Sequence, residues 1–185
     1  MDLLNASELG VMFDIIECGG VLHHMDDPSK GLKALLDILK NNGFLKLGLY
    51  SELARQDIIK ARNYIAGTNL KPTRTDIRRF RKDVISGTYP EIDNLLKRSS
   101  FYSISECRDL CFHAQEHRFT INQLQETLKS NELEFLGFLL PKPVKSLYKQ
   151  YFSEDKTQTN LQNWERFEEK HPHTFRGMYQ FWICK

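Results

Sequence analysis

Apolar residues in this chain fall in short continuous runs, and between the runs they recur at helical spacing. The first run, Phe13 to Cys18, is centred on Ile15 and Ile16 and predicts a strand buried on both faces. Gly19 and Gly20 end it. Asp27 is placed to cap a helix whose first turn holds Pro28, where a missing N–H costs nothing. Leu32, Leu35, Leu36 and Leu39 then form one apolar stripe, and Asn42-Gly43 is expected to stop that helix. Phe44 to Tyr50 predicts a second buried strand. A strand–helix–strand unit of this length implies a parallel pair with a right-handed crossover.

The middle of the chain is helical by period. From Glu52 to about Gly67, Ala54, Ile58, Ala61 and Ile65 share a face, and Thr75 to Ile85 repeats the pattern with Ile77, Phe80 and Val84. A short helix is expected over Ile92 to Lys97, and helix is favoured from Ser105 to His117. Thr120 and Gln123 form a capping-box pattern ahead of Ile121, Leu124 and Leu128. Leu133 to Leu140 reads as a third strand. Two further stripes follow: Val144, Leu147, Tyr148 and Tyr151, then Leu161, Trp164 and Phe167. The last segment, Phe175 to Cys184, is rich in aromatics with Tyr179, Phe181 and Ile183 alternating, and it reads as the fourth strand. Four strands result, with a helical block between the second and third. The last two are joined through helices rather than a tight hairpin.

Composition narrows the classes. The 185 residues suit one domain, and 26 basic against 24 acidic side chains argue against nucleic acid as a partner. The densest basic stretch, Arg74 to Lys82, reads as the solvated face of a helix, with a phosphate-bearing substrate as its functional alternative. The longest apolar run, Phe135 to Leu140, is far short of a membrane span. Cys18, Cys107, Cys111 and Cys184 show no paired framework, and no signal peptide is seen, so free thiols in a cytoplasmic setting are expected.

The order of these elements, with the segments FDIIECGGVLHH, a following Asp-Pro, and NNGFLKLGLYS, strongly resembles the second half of a class I S-adenosylmethionine-dependent methyltransferase. The resemblance implies a partial Rossmann-like α/β sheet. In the family order 3-2-1-4-5-7-6, these would be the fourth to seventh strands, the seventh antiparallel. FYSISECRDLCFHAQEHRFT and HTFRGMYQFW resemble bacterial methyltransferase domains often joined to tetratricopeptide repeats. The implied organisation is a single truncated methyltransferase-like domain over 1–185, with a helical cap inserted at 52–118. The opening MDLLNA resembles the acidic loop that reaches the adenine, which gives Asp2 that role.

Ligands in open α/β sheets bind at the carboxyl ends of the strands, where Cys18, Gly19 and Gly20 fall. They become the expected cofactor floor, and the alternative is a plain tight turn. His23 or His24 would accept a proton from a substrate nucleophile, or would cap the helix that follows. His113, Glu116 and His117 spell H-x-x-E-H. On a helix the two histidines would share a face, so a metal is one reading. A substrate-pocket or buried hydrogen-bonding role, with Arg118 beside it, is the preferred one, with no metal.

The family's glycine-rich turn and its ribose-binding acid have no counterpart here, so weak or absent activity alone is expected. The alternatives are one half of a split enzyme and a non-enzymatic interaction or oligomerisation module. Strand 13–18 would then lie at an open edge, covered by a second copy in a homodimer or by a partner chain.

Overall fold

The computed structural model describes residues 2–113 and 115–185. Met1, in the opening MDLLNA segment, and Ala114, in the FYSISECRDLCFHAQEHRFT segment, lie outside the described residues. In chain order the strands are β1 (Phe13–Gly19), β2 (Leu39–Leu49), β3 (Glu134–Phe138) and β4 (Tyr179–Cys184). The α-helices are α1 (Pro28–Asp37), α2 (Gln56–Gly67), α3 (Arg74–Ile85), α4 (Ile104–Cys111), α5 (Ile121–Ser130), α6 (Lys142–Tyr151) and α7 (Leu161–Lys170). The strands form one open mixed sheet in the order β1-β2-β4-β3. β1 and β2 are parallel, and β4 runs antiparallel to both β2 and β3. The architecture is α/β with helical insertions. Among the described residues no helix is long and apolar enough to cross a membrane.

Two compact units divide the chain: Met1–Ala54 together with Gln115–Lys185, and Arg55–Ala114. The first holds the sheet. Its core joins Leu32, Leu35 and Leu36 of α1 to Leu45 and Leu47 of β2, and a dense aromatic cluster covers β4. In that cluster Trp164 stacks on Tyr148 at 3.7 Å and 20° and meets Phe138 and Phe167 edge-on. The second unit closes around Ile58, Ile77, Phe80, Leu95, Phe101, Cys107 and Cys111. A nearly buried bidentate pair lies within it, Arg98 donating to both carboxylate oxygens of Asp57 at 2.8 Å.

Local chemistry explains several boundaries. Asp27 caps α1 by accepting from the N–H groups of Ser29 and Lys30, with Pro28 in the first turn. Thr120 and Gln123 cap α5 reciprocally. Asn42-Gly43, by contrast, does not end α1. That helix stops at Asp37, because Phe13 N–H takes the carbonyl of Ile38 and draws the next residues into β2. The register then jumps from Phe13↔Leu39 to Ile15↔Phe44, which leaves the Asn-Gly turn as a bulge. The chain's last residue holds it: Asn42 N–H donates to Lys185 O, and Lys185 N–H to Gly43 O. The Lys185 ammonium also donates to Leu36 O and Leu39 O, placing a cation on the carbonyl end of α1.

β1 is not buried on both faces. Ile15 is 59% exposed and Phe13 37%, while Cys18 is buried. The reason is its position: β1 pairs with β2 alone and is the edge of the sheet. Asp14 and Glu17 are tied to Lys40 and Lys46 of β2.

Candidate functional site

The carboxyl ends of the parallel strands β1 and β2 meet at Gly19 and Gly48, which are register partners. Gly48 has no room for a side chain. A Cβ on Gly48 would lie 2.7 Å from Met178 Sδ and 3.1 Å from Gly19 Cα. Gly20 turns the chain with φ +77°, a left-handed conformation suited to glycine. Beyond Gly19 and Gly20 a Cβ would meet nothing within 4 Å, so their backbone faces open space. Cys18, just below, is buried, and burial pushes its thiol pKa up.

The loop that follows carries both histidines. His23 is fully buried and stacks on Tyr50, ring centroids 3.8 Å apart. His24 sits edge-on to His23 at 4.4 Å and is half-buried. Its Nδ1 lies 3.1 Å from the carbonyl oxygen of Gln115. Donation of the Nδ1 proton to that oxygen makes Nε2 the basic nitrogen.

A second segment closes over this loop. His117 N–H donates to His23 O, Phe119 N–H to Tyr50 O, and Glu52 N–H to Phe119 O. These bonds hold 115–119 extended beside the end of β2, and they correct the expected helix over 105–117. α4 ends at Cys111, so H-x-x-E-H is not a helical motif and its two histidines share no helix face. Extended backbone instead alternates the side chains. Gln115 and His117 pair with each other, Nε2 to Nε2 at 3.4 Å, and Gln115 also donates to Met25 O. On the alternate positions, Arg118 donates to Glu52 at 2.8 Å and lies 3.7 Å from the nearly buried Glu116 carboxylate. Among the described residues no group of three or more His, Cys, Asp or Glu is placed to hold a metal ion.

His23, His24 and His117 are thus linked to one another directly and through Gln115, while Glu116 and Arg118 form an ion-paired set of their own. His113 is exposed and belongs to the unit Arg55–Ala114. Asp2 is exposed, and its carboxylate accepts from Leu4 N–H as cap of the 3-10 segment Leu3–Leu9.

Sequence reasoning missed a buried carboxyl group here. Glu168 of α7 is 4% exposed and accepts from Ser51 at 2.5 Å and Tyr179 at 2.6 Å, while Ser51 Oγ also accepts from Ala54 N–H. Glu168 lies four residues after Trp164 on the helix's apolar face, and that spacing was the available signal. Burial raises its carboxyl pKa, although both hydroxyl bonds pull the other way. A group raised in the folded state contributes stability that is complete below its unfolded value, near 4.3, and is lost as pH rises through the folded value. The Glu168→Gln variant is therefore expected to gain stability relative to the parent as pH climbs from about 4 to 8. Urea unfolding across that range measures it, and a pH-independent difference would contradict the assignment.

No family model matches the chain. An uncharacterised protein from Synechococcus sp. is 31% identical over 147 residues, covering 75% of this chain and 35% of the relative. The mitochondrial ubiquinone biosynthesis O-methyltransferase of Schizosaccharomyces pombe is 27% identical over 122 residues, covering 65% of this chain and 42% of that protein. The chain therefore spans well under half the length of these curated relatives. PKMT2 from Rickettsia typhi, solved alone and in complex with AdoHcy, matches all of this chain over 38% of its own length, with TM-scores of 0.71 and 0.70 at 16% identity. The fold is methyltransferase-like and resembles that of S-adenosylmethionine-dependent methyltransferases.

Proposed function

We propose that these 185 residues are the portion of a class I S-adenosylmethionine-dependent methyltransferase domain that carries its fourth to seventh strands, of the bacterial type often linked to tetratricopeptide repeats. The observation that carries this reading is the order β1-β2-β4-β3 with β4 reversed, which corresponds to 4-5-7-6, and with glycines and histidines gathered at the carboxyl end of the parallel pair. The open backbone at Gly19 and Gly20 fits close approach of a ligand. Cys18, Gly19 and Gly20 would form the floor under the cofactor, and Asp2 would be the acid toward the adenine. When bound, the cofactor would supply an electrophilic methyl group.

The two histidines divide the work. His24 is the half-buried one, and its tautomer leaves Nε2 to take a proton from the acceptor nucleophile. Fully buried His23 holds the loop through its stack on Tyr50. His117 and Arg118, with Glu116 and His113, are the proposed acceptor-binding residues.

The glycine-rich turn and ribose-binding acid of the family are to be supplied by further residues of the same polypeptide or by a second chain. Alone, these 185 residues are expected to bind S-adenosylmethionine with a dissociation constant weaker than about 10 μM. Calorimetric titration at neutral pH tests this, and tighter binding would overturn it. A second reading, an interaction or oligomerisation module, is favoured by one observation. Phe13 and Ile15 of β1, and Val11 and Met12 just before it, are exposed, a surface suited to a second copy or a partner chain.

A further inference from the structure

Charge is unevenly divided between the two units. Arg55–Ala114 holds 12 Lys and Arg against 7 Asp and Glu, a formal +5, whereas the rest of the chain holds 14 against 17, a formal −3. Much of the excess lies on α3. Arg74, Arg78 and Lys82 follow one another at i, i+4 and i+8, so they share a face, and all three are exposed. Like charges at this spacing repel, and Arg74 sits in the first turn, against the positive end of the helix dipole. None of the three takes part in an ion pair or side-chain hydrogen bond among the described residues. Arg81 differs: it turns over the Phe101 ring at 5.8 Å. Arg81 thus has a packing partner within the unit, whereas the outer stripe gains only the favourable place of Lys82 in the last turn of α3.

The stripe ends at an open groove of about 440 Å³ lined by Pro72, Arg74, Ile77, Ile104, Ser105 and Arg108. Its walls are aliphatic and its polar groups are two guanidinium groups and a hydroxyl. Arg108 pairs with Asp109 at 3.5 Å, with both side chains more than half exposed, a pairing worth little. Among the described residues no aromatic ring lines the groove, so these residues offer no platform for stacking a base. Four helical residues rise about 6 Å, close to the roughly 6.6–6.8 Å between alternate residues of an extended strand.

We propose that this face of α3 and the groove at its first turn dock an acidic polypeptide segment, with carboxylates along Arg74, Arg78 and Lys82 and an aliphatic side chain seated against Pro72, Ile77 and Ile104. The site is independent of methyl transfer and lies within one unit.

Fluorescence anisotropy at low salt tests it with three labelled probes: a decapeptide of eight glutamates and two leucines, decaglutamate, and a twelve-residue oligouridylate. The leucine-containing peptide is expected to bind at least about fivefold more tightly than decaglutamate, and the Arg74→Glu/Arg78→Glu/Lys82→Glu variant to weaken it by at least about tenfold, with an unchanged circular dichroism spectrum. If the triple variant fails to fold, Arg78→Glu and Lys82→Glu are made singly, each with an expected loss of about threefold. Absence of peptide binding, binding indifferent to these reversals, equal affinity for decaglutamate, or tighter binding of the oligouridylate would each overturn the proposal.

Discussion

Replacing Trp164 by alanine is expected to remove about 3–5 kcal/mol of stability, the largest single-residue effect in the sheet-bearing unit. The side chain is fully buried, stacks on Tyr148 at 3.7 Å, and meets Phe138, Phe167 and Phe175 edge-on. These contacts join α6, α7, β3 and the chain entering β4, so the vacated volume cannot be closed by one side chain moving. Its indole N–H also donates to Gln158 O at 2.8 Å, and that bond is lost with the ring. For a chain of this length each kcal/mol shifts the melting temperature by about 2–4 °C, so a fall of roughly 6–20 °C is expected. Thermal unfolding followed by near-ultraviolet circular dichroism reads it. A fall under about 2 °C would mean that the aromatic cluster does not hold the sheet as described.

The second large effect concerns the cofactor. In the proposed reading these residues offer the floor at Cys18, Gly19 and Gly20 and the acid at Asp2, while the ribose contacts lie elsewhere. A charge-assisted hydrogen bond is worth about 1.5–3 kcal/mol, and 1.4 kcal/mol is tenfold in affinity. Two such bonds to the ribose hydroxyls therefore account for a factor of about 10² or more. Supplying the glycine-rich half, fused or as a second chain, is expected to tighten S-adenosylmethionine binding by at least that factor. Calorimetry on the two forms measures it. A gain under about tenfold would remove the ribose argument.

Much of the fold was legible because local chemistry decides it. Asp27-Pro28 and the Thr120/Gln123 box set their helix starts in the sequence as in the structure. The stripe Leu161, Trp164 and Phe167 marked the buried face of α7. Misreadings arose where distant residues intervene. Asn42-Gly43 carries the ordinary sign of a helix end, yet Lys185, at the far end of the chain, claims its hydrogen bonds. His113 to His117 has a helical spacing, but His23 O and Tyr50 O capture the backbone of 117 and 119. The strand Phe13 to Cys18 has the composition of a strand buried on both faces, yet it lies at the edge that the resemblance implied, and Phe13 and Ile15 are exposed there.

The candidate site was legible in part. Cys18, Gly19, Gly20, His23 and His24 were marked by following directly on a strand. Tyr50, Gln115 and Glu168 were not, since each acquires its role from a partner remote in sequence.

The central claim is that S-adenosylmethionine rests on the end of β1, and weakly. Amide-resolved NMR of the 15N-labelled chain, titrated with the cofactor to millimolar concentration, addresses both parts at once. The account predicts fast-exchange shifts concentrated at Cys18, Gly19 and Gly20 and in the His23–His24 loop, with a dissociation constant weaker than about 10 μM. Unmoved amides at those positions at saturation, or slow exchange with tighter binding, would contradict it.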